Sequence, residues 1–290
     1  MSEASPLVTV AMAMRDAART LPAALASLLH QDYENWELVL IDDGSRDDSV
    51  KVAGRFADPR IRLLADGRRR GLGARLNEAV DAARGELIAR MDADDISYAS
   101  RFSRQVAFLQ AHPEVDVVAA AMVVFAGTGE PVGLYRVAAS HEEICARPWA
   151  GFYFPHPTWM GRAAWFRRHR YDAAATKAQD QGVLLRAYAT SRFAGIEAPL
   201  LGYRQDEIAL KKVLAGRYHF SRALLRAKPG LALRALPEQV AKAAFDVLAV
   251  ASGLERRLLR HRARPLAAAH AEEWHAVWRA VCGEMSGAAR

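Results

Sequence analysis

The pattern of apolar and polar positions divides the first 125 residues into short strands and amphipathic helices. Apolar runs of strand length lie at residues 7–12, 37–42, 61–64, 87–91 and 115–124. Between them, apolar residues recur at helical spacing in residues 22–30, 47–56, 74–84 and 101–111. This alternation predicts an α/β fold, in which helices cover both faces of a mostly parallel central sheet.

After residue 125 the pattern changes to one that is mostly helical. Glycines and prolines between residues 126 and 133 predict a loop or hairpin. Helical patterns follow at residues 161–168, 180–190, 209–226 and 236–264, with a break expected at 228–230. We therefore predict two regions, an α/β domain over residues 1–205 and a helical region over residues 206–290.

Two of the predicted strands end in acidic clusters. The second strand ends in Asp42 and Asp43, and the fourth is followed by Asp92, Asp94 and Asp95. Turn chemistry explains part of this pattern, because Asp favours strand exits. The carboxyl ends of parallel strands also meet at one edge of a sheet, where ligands collect. Because gathered carboxylates repel unless a cation or hydrogen-bond donors compensate them, the two clusters together predict a binding site.

The positive charge of the chain is concentrated towards its carboxyl end. The formal net charge is +7, yet residues 1–210 contain 25 Lys/Arg and 27 Asp/Glu, whereas residues 211–290 contain 15 and 6. Such a basic block predicts an anionic partner, either membrane lipid or nucleic acid. Because no recognisable nucleic-acid module or aromatic stacking array accompanies it, we expect no nucleic-acid partner.

Cysteine usage and hydropathy bear on the compartment. Cys145 and Cys282 lie far apart and lack metal-ligand spacing, which favours a reducing environment. The amino terminus lacks a secretory pattern, and no apolar run approaches the roughly 18 residues that span a bilayer. We expect a cytoplasmic protein, soluble or peripheral on the inner face of the cytoplasmic membrane.

An ordered set of motifs resembles those of the family 2 inverting glycosyltransferases, which have a GT-A fold. The motifs lie at residues 8–16, 25–38, 41–45, 71–77, 84–95, 156–158 and 179–180. They include Ile-Asp-Asp-Gly-Ser and Met-Asp-Ala-Asp-Asp, and the resemblance covers about residues 6–204. It implies a Rossmann-like sheet and transfer of a sugar from a nucleotide-diphosphate donor, with a UDP-sugar favoured, to a hydroxyl acceptor.

The resemblance also implies where the nucleotide binds. Asp43 would hydrogen-bond the base, in a pocket lined by the backbone of Ala13 and the side chain of Arg15. Arginine at position 15 departs from the aromatic residue common in the family, although it can still stack on a base. Arg70 and Arg75 are weaker candidates for phosphate contacts, and a solvated helix face remains an open alternative for both.

Asp92 and Asp94 match the family's Asp-x-Asp motif. Hard carboxylate oxygens are suitable ligands for Mn²⁺ or Mg²⁺, and such ions keep coordination positions for substrate phosphates. Asp94 is the stronger candidate for direct ligation, because Asp92 could instead contact the ribose. Asp95 fits either a supporting position behind the metal or a simple turn.

Asp180 matches the family's catalytic base, which would take the proton of the acceptor hydroxyl during in-line attack. The alternative for Asp180 is a helix N-cap, and both roles are compatible. Asp172 is a rival base, although its neighbours indicate a loop staple. Gln179 stands where relatives commonly have Glu. His156 lies in a loop expected near the acceptor or the diphosphate, with a buried structural histidine as the open alternative.

The acceptor that the resemblance implies is a saccharide or lipid-linked saccharide, in cell-surface polysaccharide or glycolipid synthesis. A sugar nucleotidyltransferase is disfavoured, because residues 14–20 contain no glycine-rich loop. A catalytically impaired relative would bind the donor without turning it over. The helical region, with its dense basic run at residues 255–264, either caps the sheet domain or docks on an anionic membrane.

Overall fold

The computed structural model describes residues 5–127, 129–206, 210–252 and 263–287. Its strands are β1 Val8–Met14, β2 Trp36–Asp42, β3 Ile61–Ala65, β4 Leu87–Arg90, β5 Ile96–Ser97, β6 Val117–Phe125, β7 Pro131–Tyr135, β8 Met160–Arg162 and β9 Phe193–Arg204. Its helices are α1 Leu21–Leu29, α2 Ser49–Ala53, α3 Leu72–Ala82, α4 Arg101–Ala111, α5 His141–Ile144, α6 Ala163–Arg168, α7 Gln179–Ala187, α8 Leu210–Ala227, α9 Pro229–Ala251 and α10 Ala268–Gly287.

The strands form one sheet with helices on both faces, as the sequence predicts. Its order is β3-β2-β1-β4-β8-β6-β9-β5, with β7 paired to β6. The β3-β2-β1-β4 half is parallel, and β2 is buried along its whole length. One core packs α1, α2 and α4 against the sheet, another packs α3, α6, α7 and α8, and a smaller third one surrounds Trp274. The carboxyl ends of β1, β2 and β4 therefore meet at one edge.

The second half of the sheet is mixed, and the sequence pattern did not reveal it. Strand β8 runs antiparallel to both β4 and β6, whereas β9 runs parallel to β6 and antiparallel to β5. The prediction that residues 161–168 are wholly helical is wrong at its start, where β8 precedes α6. A Cβ on Gly161 would meet the carbonyl oxygen of Asp116 at 2.4 Å, so glycine allows β8 to approach its neighbour closely.

The carboxyl-terminal region contains a helical hairpin, formed by α8 and α9, and the separate helix α10. The predicted break is confirmed at Lys228, but α9 begins at Pro229, earlier than expected, because proline suits the first helical position. Phe220, Leu224 and Ala235 of the hairpin join the core beneath the sheet. Residues 253–262, with most of the dense basic run, lie outside the described residues. Among the described helices, none has both the length and the apolar character needed to cross a membrane.

Helix α10 lies within the predicted helical region, although its bounds were not predicted, and a single tryptophan explains its position. Trp274 is fully buried and lies 4.7 Å from the ring of Phe125, centroid to centroid. Its indole N–H donates to the carbonyl oxygen of Gly129 at 2.6 Å. A Cβ on Gly202 would meet this ring at 2.1 Å, so glycine at that position of β9 makes room for the helix.

Candidate active site

A cavity of about 1140 Å³ opens at the carboxyl ends of β1 and β4. The end of β1 contributes Ala13 and Arg15 to its wall, and the loop after β4 contributes Asp92 and Asp94. Asp180, at the start of α7, faces the same space. The fold therefore brings together five of the residues that the sequence singles out, from three separate parts of the chain.

Three carboxylates form a cluster in the wall of this cavity. One oxygen each of Asp92, Asp94 and Asp95 lies within 4.8 Å of the other two, so the group could hold a metal ion. Asp94 opens to the cavity, whereas Asp95 is wholly buried. Oδ1 of Asp95 accepts a hydrogen bond from the backbone N–H of Arg204 at 3.0 Å, while its Oδ2 has no hydrogen-bond partner among the described residues.

The surroundings of the cluster oppose ionisation. Although the Asp94 side chain is open to the cavity, the protein that surrounds it desolvates the carboxylate, and this, reinforced by the charge of Asp92, raises the pKa of Asp94 to about 6. Burial also raises the pKa of Asp95 well above its ordinary value, and repulsion from Asp94 and Asp92 adds to the effect. A divalent cation would favour the charged forms and satisfy the orphaned oxygen of Asp95. The donor set therefore fits a hard metal ion.

Buried arginines partly balance the acidic cluster from beneath. Nη2 of Arg90 donates a short hydrogen bond to Oδ1 of Asp92, whereas its Nε and Nη1 have no hydrogen-bond partner among the described residues. Burial alone would lower the pKa of Arg90, but attraction to Asp92 and Asp95 outweighs it and raises that pKa. Arg101 donates to the carbonyl oxygen of Arg90 at 2.7 Å. Sequence reasoning missed Arg90, which fixes the position of Asp92.

Asp180 is held at the first turn of α7. The predicted N-cap role is wrong, because the N-cap is Ala178, a non-glycine residue at φ 54°. Asp180 is instead the second helical residue, where the free backbone N–H groups favour a negative charge. The side-chain amide of Gln181 donates to Oδ2 of Asp180 at 3.1 Å. Gln179 is buried and its amide donates to the carbonyl oxygen of Ala175 at 3.0 Å, which braces the preceding loop.

The rival carboxylate, Asp172, lies outside this cavity. Its Oδ1 accepts from the backbone N–H of Ala174 at 2.9 Å, which confirms the predicted loop staple. Asp172 lines a second, smaller cavity of about 290 Å³ beside α8. The two cavities share Lys177 and Ala178 at their boundary.

His156 is hydrogen-bonded to Tyr171, and neither residue lines the large cavity as far as the chain is described. Its Nε2 and the hydroxyl oxygen of Tyr171 are hydrogen-bonded at 2.8 Å, and its ring packs against Trp159. Burial, followed by the charge of Arg90, lowers the pKa of His156 well below its ordinary value, so the ring is neutral. Burial raises the pKa of Tyr171, and the carboxylate of Asp180 acts in the same direction. These contacts favour the structural alternative for His156 over a place beside the acceptor or the diphosphate.

Comparison with known proteins assigns the chain to a family. The family model for glycosyl transferase family 2 matches residues 9–170, a range that contains both acidic loops. The chain belongs to glycosyl transferase family 2. It is therefore a transferase enzyme, as the motifs indicated, and the architecture described above is the predicted GT-A fold.

Individual relatives of this glycosyltransferase support the assignment. The chain is 33% identical over 214 residues to EpsE of Bacillus subtilis, which is named as a putative glycosyltransferase. The matched region covers 71% of this chain and 76% of EpsE. It is 36% identical over 103 residues to WfgD of Escherichia coli, which is named as a UDP-Glc:α-D-GlcNAc-diphosphoundecaprenol β-1,3-glucosyltransferase. This match covers 36% of this chain and 41% of WfgD. The mannosyltransferase PcManGT of Pyrobaculum calidifontis, solved with GDP-Man and Mn²⁺, superposes with a TM-score of 0.59 at 18% identity, over 98% and 88% of the two chains.

The other acidic loop of this glycosyltransferase is occupied by internal contacts. Asp42 accepts from the backbone N–H groups of Gly44 and Ser45, which closes the turn after β2. Asp43 is buried and accepts from the backbone N–H groups of Arg70 and Gly71 at 2.6 and 2.9 Å. The structure does not place Asp43 among the residues that line the large cavity.

Arg70 and Arg75 differ in their surroundings. The solvated-face alternative is wrong for Arg75, because its side chain is only 2% exposed. Three carboxylates surround its guanidinium. It donates to Asp43, Asp66 and Glu78 at 3.2, 2.6 and 2.8 Å. The half-exposed Arg70 pairs with Asp66 at 2.8 Å and with Glu78 at 2.9 Å. The wall of the large cavity, as far as the chain is described, includes neither arginine.

The far wall of the cavity comes from residues that sequence reasoning missed. The end of β9 contributes Tyr203 and Arg204, and helix α8 contributes Arg217 and Phe220. The guanidinium of Arg204 lies 4.7 Å above the ring of Phe125, and its buried Nη1 has no hydrogen-bond partner among the described residues. The sequence pattern did not predict β9, so nothing marked Arg204 as a residue at the end of a strand.

Proposed function

We propose that this glycosyltransferase moves a sugar from a nucleotide-diphosphate donor to a hydroxyl acceptor with inversion of configuration. The observation that carries the proposal is that Asp94 and Asp180 line one cavity, the first within an acidic cluster and the second at a helix start. A UDP-sugar is the favoured donor. WfgD is named for UDP-Glc and PcManGT was solved with GDP-Man, so both nucleotides belong in the test.

We assign a divalent ion, Mn²⁺ or Mg²⁺, to Asp94 and Asp92. When bound, the ion would neutralise negative charge on the diphosphate as the leaving group departs. The orphaned Oδ2 of Asp95 and the raised pKa of Asp94 support the site, because both favour a bound cation. Arg90 holds the carboxylate of Asp92 in place, and that carboxylate remains free to contact the ribose through its other oxygen.

The donor nucleotide belongs, in this proposal, against the end of β1. The backbone of Ala13 and the exposed side chain of Arg15 face the cavity there. Asp43 follows the neighbouring strand and donates its backbone N–H to Met14. Its Oδ2 accepts from Gly71 at 3.1 Å, which leaves a lone pair for a base N–H.

Arg204 rather than Arg70 or Arg75 is our candidate for the diphosphate contact. Its Nη1 has no hydrogen-bond partner among the described residues, only an ion-pair contact with Asp206 at 3.8 Å, and its Nε donates to the carbonyl oxygen of Asp94 at 3.1 Å. A planar guanidinium fixed in this way can present two parallel N–H groups to phosphate oxygens. Arg70 and Arg75 then act indirectly, through the loop that Asp43 holds.

Asp180 acts as the general base in this mechanism. Its carboxylate would take the proton of the acceptor hydroxyl while that oxygen attacks the anomeric carbon in line with the departing diphosphate. The hydrogen bond from Gln181 and the first turn of α7 hold the carboxylate in position. No covalent intermediate is required, because a single displacement inverts the anomeric centre.

The acceptor proposed here is a saccharide or a lipid-linked saccharide, in cell-surface polysaccharide or glycolipid synthesis. The acceptor named for WfgD, an α-D-GlcNAc-diphosphoundecaprenol, supports this class. We propose that residues 1–205 carry the donor chemistry and that residues 206–290 complete the acceptor side. Arg217 and Phe220 of α8 support that division, because they form the cavity wall opposite β1.

A nucleotide-sugar screen tests the proposal. Thermal unfolding is measured with UDP-Glc, UDP-GlcNAc, GDP-Man and dTDP-Glc, each with Mn²⁺ and with EDTA, and slow release of nucleoside diphosphate is followed in parallel. We expect one nucleotide class to raise Tm in Mn²⁺ but not in EDTA, since ligands that bind the native state stabilise it. A protein that no nucleotide sugar stabilises, and that releases no nucleoside diphosphate, would contradict the proposal.

A further inference from the structure

Helix α9 is turned so that apolar side chains face outward. Leu233 is 73% exposed, and Leu236, Val240, Val247 and Leu248 are also exposed. These five residues, called the α9 stripe below, recur at helical spacing along one face. From the first to the last, the stripe extends about 22 Å at the α-helical rise per residue.

The inward face of α9 carries two buried polar side chains beside small apolar ones such as Ala235. Asp246 is only 2% exposed, and Arg217 of α8 donates to it at 2.5 Å. Gln239 is buried and its amide donates to the carbonyl oxygen of Trp149 at 3.0 Å. A surface helix of a globular protein normally turns its larger apolar side chains inward, whereas the α9 stripe faces outward. Because turning the α9 stripe inward would break both contacts, the outward orientation is fixed by the fold.

Exposed positive charge lies on the same helical hairpin as the α9 stripe. Arg222 and Arg226 of α8 and Arg234 of α9 are exposed. Tyr218 and Leu225 of α8, both exposed, extend the apolar surface of the hairpin. Exposed apolar area of this size marks an interaction site, and flanking cations select an anionic partner.

We propose that the α9 stripe docks the protein on an anionic phospholipid surface, with the helix lying in the plane of the interface. Apolar side chains would enter the headgroup boundary while the arginines contact lipid phosphates. A second copy of the chain fits this surface less well, because pairing two such faces would bring like charges together. The docking does not depend on the donor chemistry proposed above.

The position of the surface suits delivery of a lipid-borne acceptor. Arg222 and Arg226 line the smaller cavity, which meets the large one at Lys177 and Ala178. Asp180 lies two residues beyond this boundary, at the start of α7. A lipid surface that contacts Arg222 and Arg226 would therefore lie beside the smaller cavity, which meets the large one near the base assigned under the proposed function.

Vesicle sedimentation of the full-length protein tests the docking. The vesicles are phosphatidylcholine alone or phosphatidylcholine mixed with phosphatidylglycerol. The test variant is Leu236→Glu with Val240→Glu, and the matched control is Val50→Glu with Leu64→Glu, two exposed aliphatic positions distant from α9 in sequence. Because all four substituted side chains are exposed, we expect both variants to fold normally. The thermal unfolding of each variant checks this.

We expect the wild type and the control to sediment with the anionic vesicles, more weakly at high salt, and the α9 variant to bind at least about tenfold less. Equal binding of the α9 variant, or no binding of the wild type, would overturn the proposal. Sedimentation equilibrium without vesicles tests whether a second copy of the chain covers the α9 stripe instead. A wild-type dimer that the α9 variant abolishes would identify a second copy rather than lipid and would equally overturn it.

Discussion

The carboxylate of Asp95 accepts a hydrogen bond from the backbone N–H of Arg204 at 3.0 Å, across 109 residues of chain. The contact joins the acidic loop after β4 to the end of β9, immediately before the segment that leads to α8. Arg204 strengthens the connection with a side-chain hydrogen bond to the carbonyl oxygen of Asp94. The proposed metal ligands and the helical wall of the cavity are thus held at one junction.

The metal assignment predicts the effect of Asp94→Asn. The substitution keeps the size of the side chain but removes a charged ligand, so Mn²⁺-dependent donor binding should weaken about 100-fold or more. Titration calorimetry with the donor found in the nucleotide screen measures it. Asp48→Asn is the matched control, because the Asp48 side chain is 69% exposed and lies outside both the cluster and the described wall of the cavity. Equal losses in the two variants would argue against a metal at Asp94.

The buried position of Arg75 predicts a structural role. Arg75→Gln should lower the free energy of unfolding by about 3–5 kcal/mol, because carboxylates around a buried guanidinium lose their partner. Arg70→Gln, at a 45% exposed side chain, should lower it by less than about 1 kcal/mol. Urea unfolding measures both values. Similar small effects would show that the network around Arg75 contributes little.

The neutral state of His156 predicts a pH dependence of stability. The folded state lowers the pKa of His156, so below about pH 6.5 the unfolded chain binds the proton and the folded protein does not. This group therefore makes the free energy of unfolding rise with pH up to about 6.5 and level off above it. His156→Gln should remove that part of the slope when unfolding is measured between pH 5 and 8. An unchanged slope would mean that His156 titrates normally in the folded protein.

Gly182 offers a test of local helix stability. It lies within α7, and a Cβ there would meet the Arg186 side chain at 3.6 Å, an ordinary contact. Gly182→Ala should therefore raise the free energy of unfolding by about 0.5–1 kcal/mol, since glycine costs that much inside a helix. Chemical denaturation measures the gain. A loss of stability would show that the glycine is needed for backbone geometry or close packing.

The sequence predicted the parallel half of the sheet well, because burial on both faces leaves continuous apolar runs. Strand β2 is such a run and is buried throughout. Strand β8 was missed because three residues are too short to show a period. The position of helix α10 could not be predicted because it depends on Trp274 fitting over Gly202, which is a relationship between distant residues.

The two acidic loops show where local pattern stops being informative. Both follow apolar strands, yet Asp42 and Asp43 bind backbone N–H groups, whereas Asp92 and Asp94 face the cavity. The difference depends on the loop at residues 66–71, whose backbone N–H groups reach Asp43 from 27 residues away. The sequence therefore identified the strand ends that matter, but tertiary contacts determine which carboxylates are available to a ligand.

The rate of sugar transfer by Asp180→Asn, measured together with its donor affinity, tests the central claim most directly. The account predicts that transfer falls about 10²–10⁴-fold while the Kd for the donor with Mn²⁺ stays within about twofold of wild type, because the base acts only on the acceptor hydroxyl. Asp172→Asn, the matched control on the neighbouring loop, should transfer at the wild-type rate. Near-normal transfer by Asp180→Asn, or an equal loss in Asp172→Asn, would contradict the assignment of Asp180 as the base.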